Sequence, residues 1–379
     1  MKKIINARVI TPFRCIENCE VAYEKGKITG IGENLGTAER VVDAEGMYLS
    51  PGFIDLHIHG GGGFSFCEAD EGKIRQALLL SAEHGVTSVF ASHMFPLPEL
   101  GKILWKVMND SSGPEILGMH SECLDWDYIY GEPCNQGKEA PAYTPDKYVH
   151  LIKQIPALRK IGVDPSLKGA AEFTRFFTSS GIKVAISHCG PATYEQVMEC
   201  VEAGADCVTH LYTGMSGVYR DQQTGERFPG VIEDCLMEPE LIAEVIGNGR
   251  HLTGQMLNLI YRFKGTGGMY LTTDSAVQKE PFKEGEEMVV PNHLPDRISI
   301  KTMAPMDYIV RETVKCSDIP LLQAVRMATY NPAKMAGVSD RKGKIGIGYD
   351  ADLIVFDEGV NVKLVIARGK VMKNELEFI

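Results

Sequence analysis

Two hydrophobic rhythms divide the chain. Across the middle, short apolar runs alternate with longer stretches whose apolar residues recur every three to four positions, as strand–helix units do. The runs fall at 53–59, 87–93, 115–122, 158–163, 183–188, 205–210, 241–248 and 268–274. Eight such units spread over roughly 280 residues have the size of a (β/α)8 barrel, the TIM barrel. Helix signals lie between them. The stretch 71–84 closes on Gly85 as a C-cap, and 194–203 opens on Thr193 with Gln196 three residues later, the spacing of a capping box. A helix pair near 306–314 and 320–327 follows the last unit.

The two ends read differently. Residues 3–11, 19–23 and 27–31 are short strand candidates with turns at Lys25-Gly26 and Ile31-Gly32, and 352–356 and 362–371 are β-rich around Asp357-Glu358-Gly359. Neither end can bury a core alone. The expectation is an α/β chain with a TIM barrel over 51–337 and a small β-sandwich formed from both chain termini, 1–50 with 338–379.

Composition narrows the function. Hydrophobic residues make up 44% of the 379 residues and charged residues 23%, which excludes a disordered chain, a coiled coil or a collagen-like repeat. The net charge of −11 lacks the basic footprint that nucleic-acid binding needs. The opening Met1-Lys2-Lys3 looks like the start of a signal peptide, but Asn6, Arg8, Thr11 and Pro12 break the apolar run that would follow. No stretch approaches the roughly 20 apolar residues of a membrane span. The ten Cys are scattered without a Cys-x-x-Cys and read as reduced thiols, so the expected location is cytoplasmic.

The ends of the runs carry the chemistry. His57, His59, Glu122, His188, His210 and Asp274 stand at strand tips, and the C-terminal tips of a TIM barrel ring its active-site mouth. His57 and His59 are two residues apart, so on a strand both imidazoles point the same way. Two neutral imidazoles so placed can chelate a borderline metal such as zinc. The glycine run 60–63 that follows would let a substrate approach the backbone. Glu122, His188 and His210 form a second set of two nitrogens and one carboxylate. Taken singly, each of these residues reads first as an interior polar group with a hydrogen-bond partner. Taken jointly on successive tips, they point to a metal. Asp274 is then placed to take a proton from a metal-activated water. Asp55 reads as structural.

These residues resemble a known family. Pro51-Gly52-Phe53-Ile54-Asp55-Leu56-His57-Ile58-His59-Gly60 is similar to the first-strand motif of the amidohydrolase superfamily. Thr209-His210-Leu211-Tyr212-Thr213-Gly214-Met215 and Thr273-Asp274 resemble motifs of the N-acetylglucosamine-6-phosphate deacetylases. The stretches 324–333, 342–345 and 348–355 also match, so the resemblance spans essentially the whole chain. It implies a metal-dependent hydrolase, a homodimer, that removes acetate from N-acetylglucosamine 6-phosphate. It further implies that Glu122, His188 and His210 hold the main divalent metal, zinc being the first choice, and that His57 and His59 hold a second. Asp274 would be the general base and then the acid. Thr213, Gly214 and His251 would line the substrate, and Arg227 would reach the phosphate from the partner subunit. An acidic protein that takes an anionic substrate needs such a local cationic clamp, and Arg supplies a bidentate fork.

Several neighbours depart from the family pattern. His120-Ser121-Glu122-Cys123-Leu124 keeps the ligand but lacks the Gly-Pro that usually follows it. The segment that normally carries a carbonyl-polarising His is here Gln136-Gly137-Lys138-Glu139-Ala140, which leaves Lys138 or a second metal to hold the carbonyl oxygen. Ser187-His188-Cys189-Gly190-Pro191, Thr213 and Asn248 also differ, Asn248 standing where the family has Asp. These changes open the choice of substrate while leaving the reaction class. The alternatives are a cyclic-amide hydrolase or deaminase of the same superfamily, and a metal-free, non-catalytic relative. Many cyclic-amide hydrolases carry a bridging Lys where Glu122 stands, and a scaffold would need neither the ligand set nor Asp274.

Overall fold

The computed structural model describes residues 1–94, 96–108, 110, 113–124, 140–275 and 304–377. Eight parallel strands, Phe53–Ile58, Val86–His93, Glu115–Ser121, Leu158–Val163, Lys183–Ile186, Cys207–Val208, Ile242–Val245 and Met269–Leu271, lie side by side in chain order. The last meets the first at the mouth. Ile58 bridges Ser275, the Asp274 amide donates to the His57 carbonyl at 2.8 Å, and the His59 amide donates to the Ser275 carbonyl at 3.0 Å. Every residue of the first two strands is buried, as expected where helices cover one face and the barrel interior the other.

The helices follow from local signals. Asp70 caps Glu71–Glu83 by accepting from the Lys73 amide, and Ile74, Ala77, Leu78 and Ala82 form the buried stripe of that helix. Thr193 and Gln196 make the reciprocal bonds of a capping box at the start of Tyr194–Glu202. The later pair is Met306–Cys316 and Leu321–Ala328.

The terminal strands build one sheet. Lys2–Ile10, Cys15–Glu24, Lys27–Gly32, Arg40–Asp43 and Tyr48–Pro51 join Leu353–Phe356, Val362–Ala367 and Lys370–Asn374. Leu353–Phe356 runs antiparallel to Tyr48–Pro51, so the chain returns to the sheet it left. Ile4, Val9, Leu49, Leu353, Val355 and Leu364 form its separate core. The expected strand 362–371 is two strands, because Arg368 and Gly369 turn the chain with φ of 48° and 78°.

A buried ion cluster ties this sheet to the base of the barrel. Lys342 meets Glu115 at 2.9 Å, Asp350 at 3.2 Å, and Asp352. Arg341 grips both oxygens of Glu115 and also reaches Asp350. Glu115 opens the third barrel strand, so the cluster lies at the N-terminal end of the barrel. No helix among the described residues is long and apolar enough to cross a membrane.

Candidate metal centre at the barrel mouth

The predicted tip residues leave their strands before they act. Strands end at Ile58, Ile186, Val208 and Leu271, short of the expected His59, His188, His210 and Asp274. The sixth strand shrinks to Cys207–Val208. The cause is backbone conformation: His188, His210 and Asp274 take φ of 48°, 30° and 46°, values a strand cannot accommodate. Such strained residues persist only where their surroundings hold them, and they concentrate at functional sites.

Contacts that place Glu122 and Asp274 are visible. The Glu122 amide donates to the His93 carbonyl at 2.9 Å, and a side chain at Gly162 would come within 1.8 Å of the Glu122 carbonyl. Only glycine at position 162 lets Glu122 lie across the fourth strand. Asp55 accepts from the hydroxyls of Thr272 and Thr273, which fixes the end of the eighth strand. Burial raises the Asp55 carboxyl to about 6, against the pull of those hydroxyls.

The structure brings together His57, His59, Glu122, His188, His210 and Asp274. Glu122 divides its two oxygens between the two histidine pairs. Its Oε1 lies 2.8 Å from His59 Nε2 and 3.4 Å from His57 Nε2. Its Oε2 lies 2.8 Å from His188 Nε2 and 3.4 Å from His210 Nε2. Asp274 Oδ1 is 3.3 Å from His57 Nε2 and 3.4 Å from His59 Nε2. Two ligand sets therefore share one carboxylate, each with its candidate ligand atoms within 4.8 Å of one another.

The donor chemistry fits divalent cations. Within each pair the two Nε2 atoms are 3.2 Å apart. Two imidazole lone pairs face each other at that distance only with a proton or a cation between them. Burial alone would lower the His57 pKa, but Asp274, Glu244 and Glu122 outweigh it and raise it to about 10. His59 is likewise raised by Glu122 and Asp274 against burial. Burial would raise Glu122, yet His57 and His59 hold it well below the usual carboxylate range. Asp274 is lowered in the same way, chiefly by His57 against burial, and stays ionised at neutral pH. Without metal the pocket collects protons where a cation would sit.

The substrate-facing candidates are less uniform. Gly214, with φ of 64°, lies where a side chain would come within 2.9 Å of His188 Nδ1, so its lack of one is a packing requirement. Thr213 belongs to the same turn, its amide donating to the His210 carbonyl at 2.9 Å. His251 is half-buried beside Asn248, whose Nδ2 is 2.9 Å from His251 Nδ1. Burial lowers His251 to about 4, with Asp274 pulling weakly the other way. Arg227 sits on an exposed two-stranded ribbon, Tyr219–Arg220 against Arg227–Phe228. Lys138 lies outside the described residues.

Sequence reasoning missed three buried groups. Glu244 contacts His57 Nδ1 at 2.6 Å, and Lys160 and Tyr270 contact Glu244 at 2.5 and 2.6 Å. The available signal was a lone Glu inside the apolar run of the seventh strand, and a Lys beside Arg159 in the fourth. Cys67 was missed as well, its Sγ 3.7 Å from His59 Nδ1.

Residues 48–372 match the model of the amidohydrolase family. The chain belongs to that family. It is 29% identical over 365 residues to an N-acetylglucosamine-6-phosphate deacetylase of Caenorhabditis elegans, covering 89% of this chain and 85% of the relative. It is 27% identical over 388 residues to the Lysinibacillus sphaericus enzyme of the same name, covering 97% of each. Its fold is similar to that of a Mycobacterium smegmatis N-acetyl-D-glucosamine-6-phosphate deacetylase mutant, solved in complex with N-acetyl-D-glucosamine-6-phosphate. The TM-score is 0.80 at 22% identity, over 98% of this chain and 99% of the other.

Proposed function

We propose that this chain hydrolyses the amide of an N-acetylated amino sugar phosphate, N-acetylglucosamine 6-phosphate being the favoured substrate. The observation that carries the reading is Glu122, shared between two histidine pairs, with Asp274 against one of them. Family membership and the names of the relatives support the same class of reaction.

Glu122, His188 and His210 would hold the main ion, and His57 and His59 with Glu122 a second, zinc being the first candidate. When bound, a divalent cation polarises the amide carbonyl and lowers the pKa of its water toward ~7. Asp274, kept ionised by His57 and His59, takes the proton of the attacking water and returns it to the departing amine. Neutral His251 offers the substrate an N–H donor at its Nε2. Arg227 on its exposed ribbon reaches the phosphate bound by a partner subunit in a homodimer, Thr213 and Gly214 line the remaining approach, and Lys138 keeps its sequence-based assignment as a holder of the carbonyl oxygen. The division into a barrel over 51–337 and a terminal unit, and a cytoplasmic location, belong to the same proposal.

The test is acetate release from a panel of N-acetylhexosamine 6-phosphates by protein purified with added Zn2+. Release is expected, with N-acetylglucosamine 6-phosphate preferred. No release from any sugar, with metal shown to be bound, overturns the reading. Arg227→Ala should cripple phosphosugar turnover, whereas an enzyme for neutral substrates would be untouched.

A further inference from the structure

We propose that Glu244 is a positioning residue for the His57/His59 half of the centre, held to that task by Lys160 and Tyr270. The proposal rests on the reading that His57, His59 and Glu122 take an ion.

Glu244 lies on the seventh barrel strand and is fully buried. Its Oε1 is 2.6 Å from His57 Nδ1 and accepts from the His210 backbone amide at 3.2 Å. Its Oε2 accepts from Lys160 Nζ at 2.5 Å and from the Tyr270 hydroxyl at 2.6 Å. Lys160 also donates to the Tyr270 oxygen at 3.2 Å, which leaves the tyrosine hydrogen for Glu244. An ionised carboxylate offers about four lone-pair positions and no hydrogen. All four are taken here, two of them by an ammonium and a main-chain N–H that can only donate. Glu244 is therefore an acceptor toward every neighbour, and His57 Nδ1 must carry the hydrogen between them.

That assignment decides which nitrogen of His57 can ligate. With Nδ1–H committed to Glu244, the other nitrogen, Nε2, is the one that faces Glu122 and Asp274. A ligating imidazole that gives its outer N–H to a carboxylate is fixed in orientation and made more basic. Lys160 has a distinct part. It is fully buried and its charge cancels that of Glu244, so the carboxylate can stay ionised deep in the barrel. Because Oε1 also holds the amide of His210, one buried carboxylate touches a ligand residue of each set.

A structural ion pair and a positioning residue respond differently to two substitutions. In Glu244→Gln the amide has one accepting oxygen and a donating NH2. Lys160 forces the oxygen toward itself, which turns the NH2 to His57 and moves the imidazole hydrogen to Nε2. Adding Lys160→Met removes that demand and lets the amide oxygen return to His57. The measurements are calorimetric titration of chelator-stripped protein with Zn2+ and the absorption spectrum of each added equivalent of Co2+. Wild-type protein should take up two ions per chain. Glu244→Gln should weaken one of them about 30-fold and change its cobalt spectrum, with a smaller loss at the other, whose His210 amide gives up its acceptor. The double variant should recover most of the lost affinity. Should Glu244→Gln fail to fold, Tyr270→Phe serves instead, with about threefold weaker binding of the same ion. Wild-type protein that binds a single ion overturns the two-ion reading, and the proposal with it. Two ions in wild-type protein with unchanged affinities in the folded variant overturn the role of Glu244 alone, as does a double variant that recovers nothing.

Discussion

The third barrel strand, Glu115–Ser121, has a glutamate at its start and another directly after its end, and the two have opposite surroundings. At the base, Glu115, Asp350 and Asp352 face Lys27, Arg341 and Lys342, three carboxylates against three cations. At the mouth, the partners found for the Glu122 and Asp274 side chains among the described residues are imidazoles. The base is electrically complete and binds the terminal sheet to the barrel. The mouth holds two carboxylates and four imidazoles that need a cation supplied from outside. A buried charge cluster is therefore informative through its balance: a matched one is costly to break, and an unmatched one marks a candidate binding site.

Substituting the two glutamates should separate these roles. Glu122→Gln removes the carboxylate both ligand sets share, so metal uptake and activity should be abolished while the metal-free protein still folds, melting only modestly lower because His57 and His59 keep Asp274 as a partner. Metal content and a thermal scan check this, and retention of a full metal complement would break the comparison. Asp274→Asn should keep bound metal and lower acetate release about 10²- to 10⁴-fold, the range of a lost general acid–base. Glu115→Gln should do the reverse of Glu122→Gln. It strands Lys342 and Arg341 in part and should cost about 2–3 kcal/mol of stability with unchanged metal stoichiometry.

The same imbalance has a pH signature. In chelated protein His57 is raised from 6.5 to about 10. A basic group raised on folding contributes stability below its unfolded pKa and loses it as pH climbs through the folded value. The melting temperature of metal-free protein should therefore fall between pH 7 and 10. Metal-loaded protein should not share that fall, because a cation takes the place of the proton. Parallel scans at fixed ionic strength test this, and identical slopes would contradict the charge assignment at the mouth.

Much of this was readable before the structure. Barrel strands buried on both faces must be apolar runs, so all eight were legible, and polar residues at their tips stood out against them. The ligand cluster followed because TIM-barrel tips converge. Where the runs stop was not legible, since the left-handed residues His210 and Asp274 are held by partners on other strands, Glu244 and the His57 carbonyl. Nor was the Glu244–Lys160 pair, whose members are 84 positions apart. A single buried charge in a strand signals that a partner exists without naming it. Asn248 departs from the family pattern in the sequence alone, but the consequence lies in the geometry around His251.

That consequence gives the smallest predicted effect. Asn248 Oδ1 accepts from the amides of Arg250 and His251 at 3.0 and 2.9 Å, so its orientation is fixed and Nδ2 must face His251 Nδ1. The ring nitrogen is then an acceptor, which agrees with a His251 that burial holds near 4. Asn248→Asp preserves the backbone bonds and replaces the donor by an acceptor. His251 must then donate from Nδ1, and the nearby carboxylate should raise its pKa toward the ordinary 6.5 or above. NMR titration of the His251 ring would read this directly. With substrate, the change should appear as a modest shift in KM on the acid side of neutrality, with kcat within about threefold of wild type, because His251 lies outside the ligand sets that share Glu122. A His251 pKa unmoved by Asn248→Asp would mean that burial alone governs this ring. The difference between Asn and Asp at 248 would then be silent at the site.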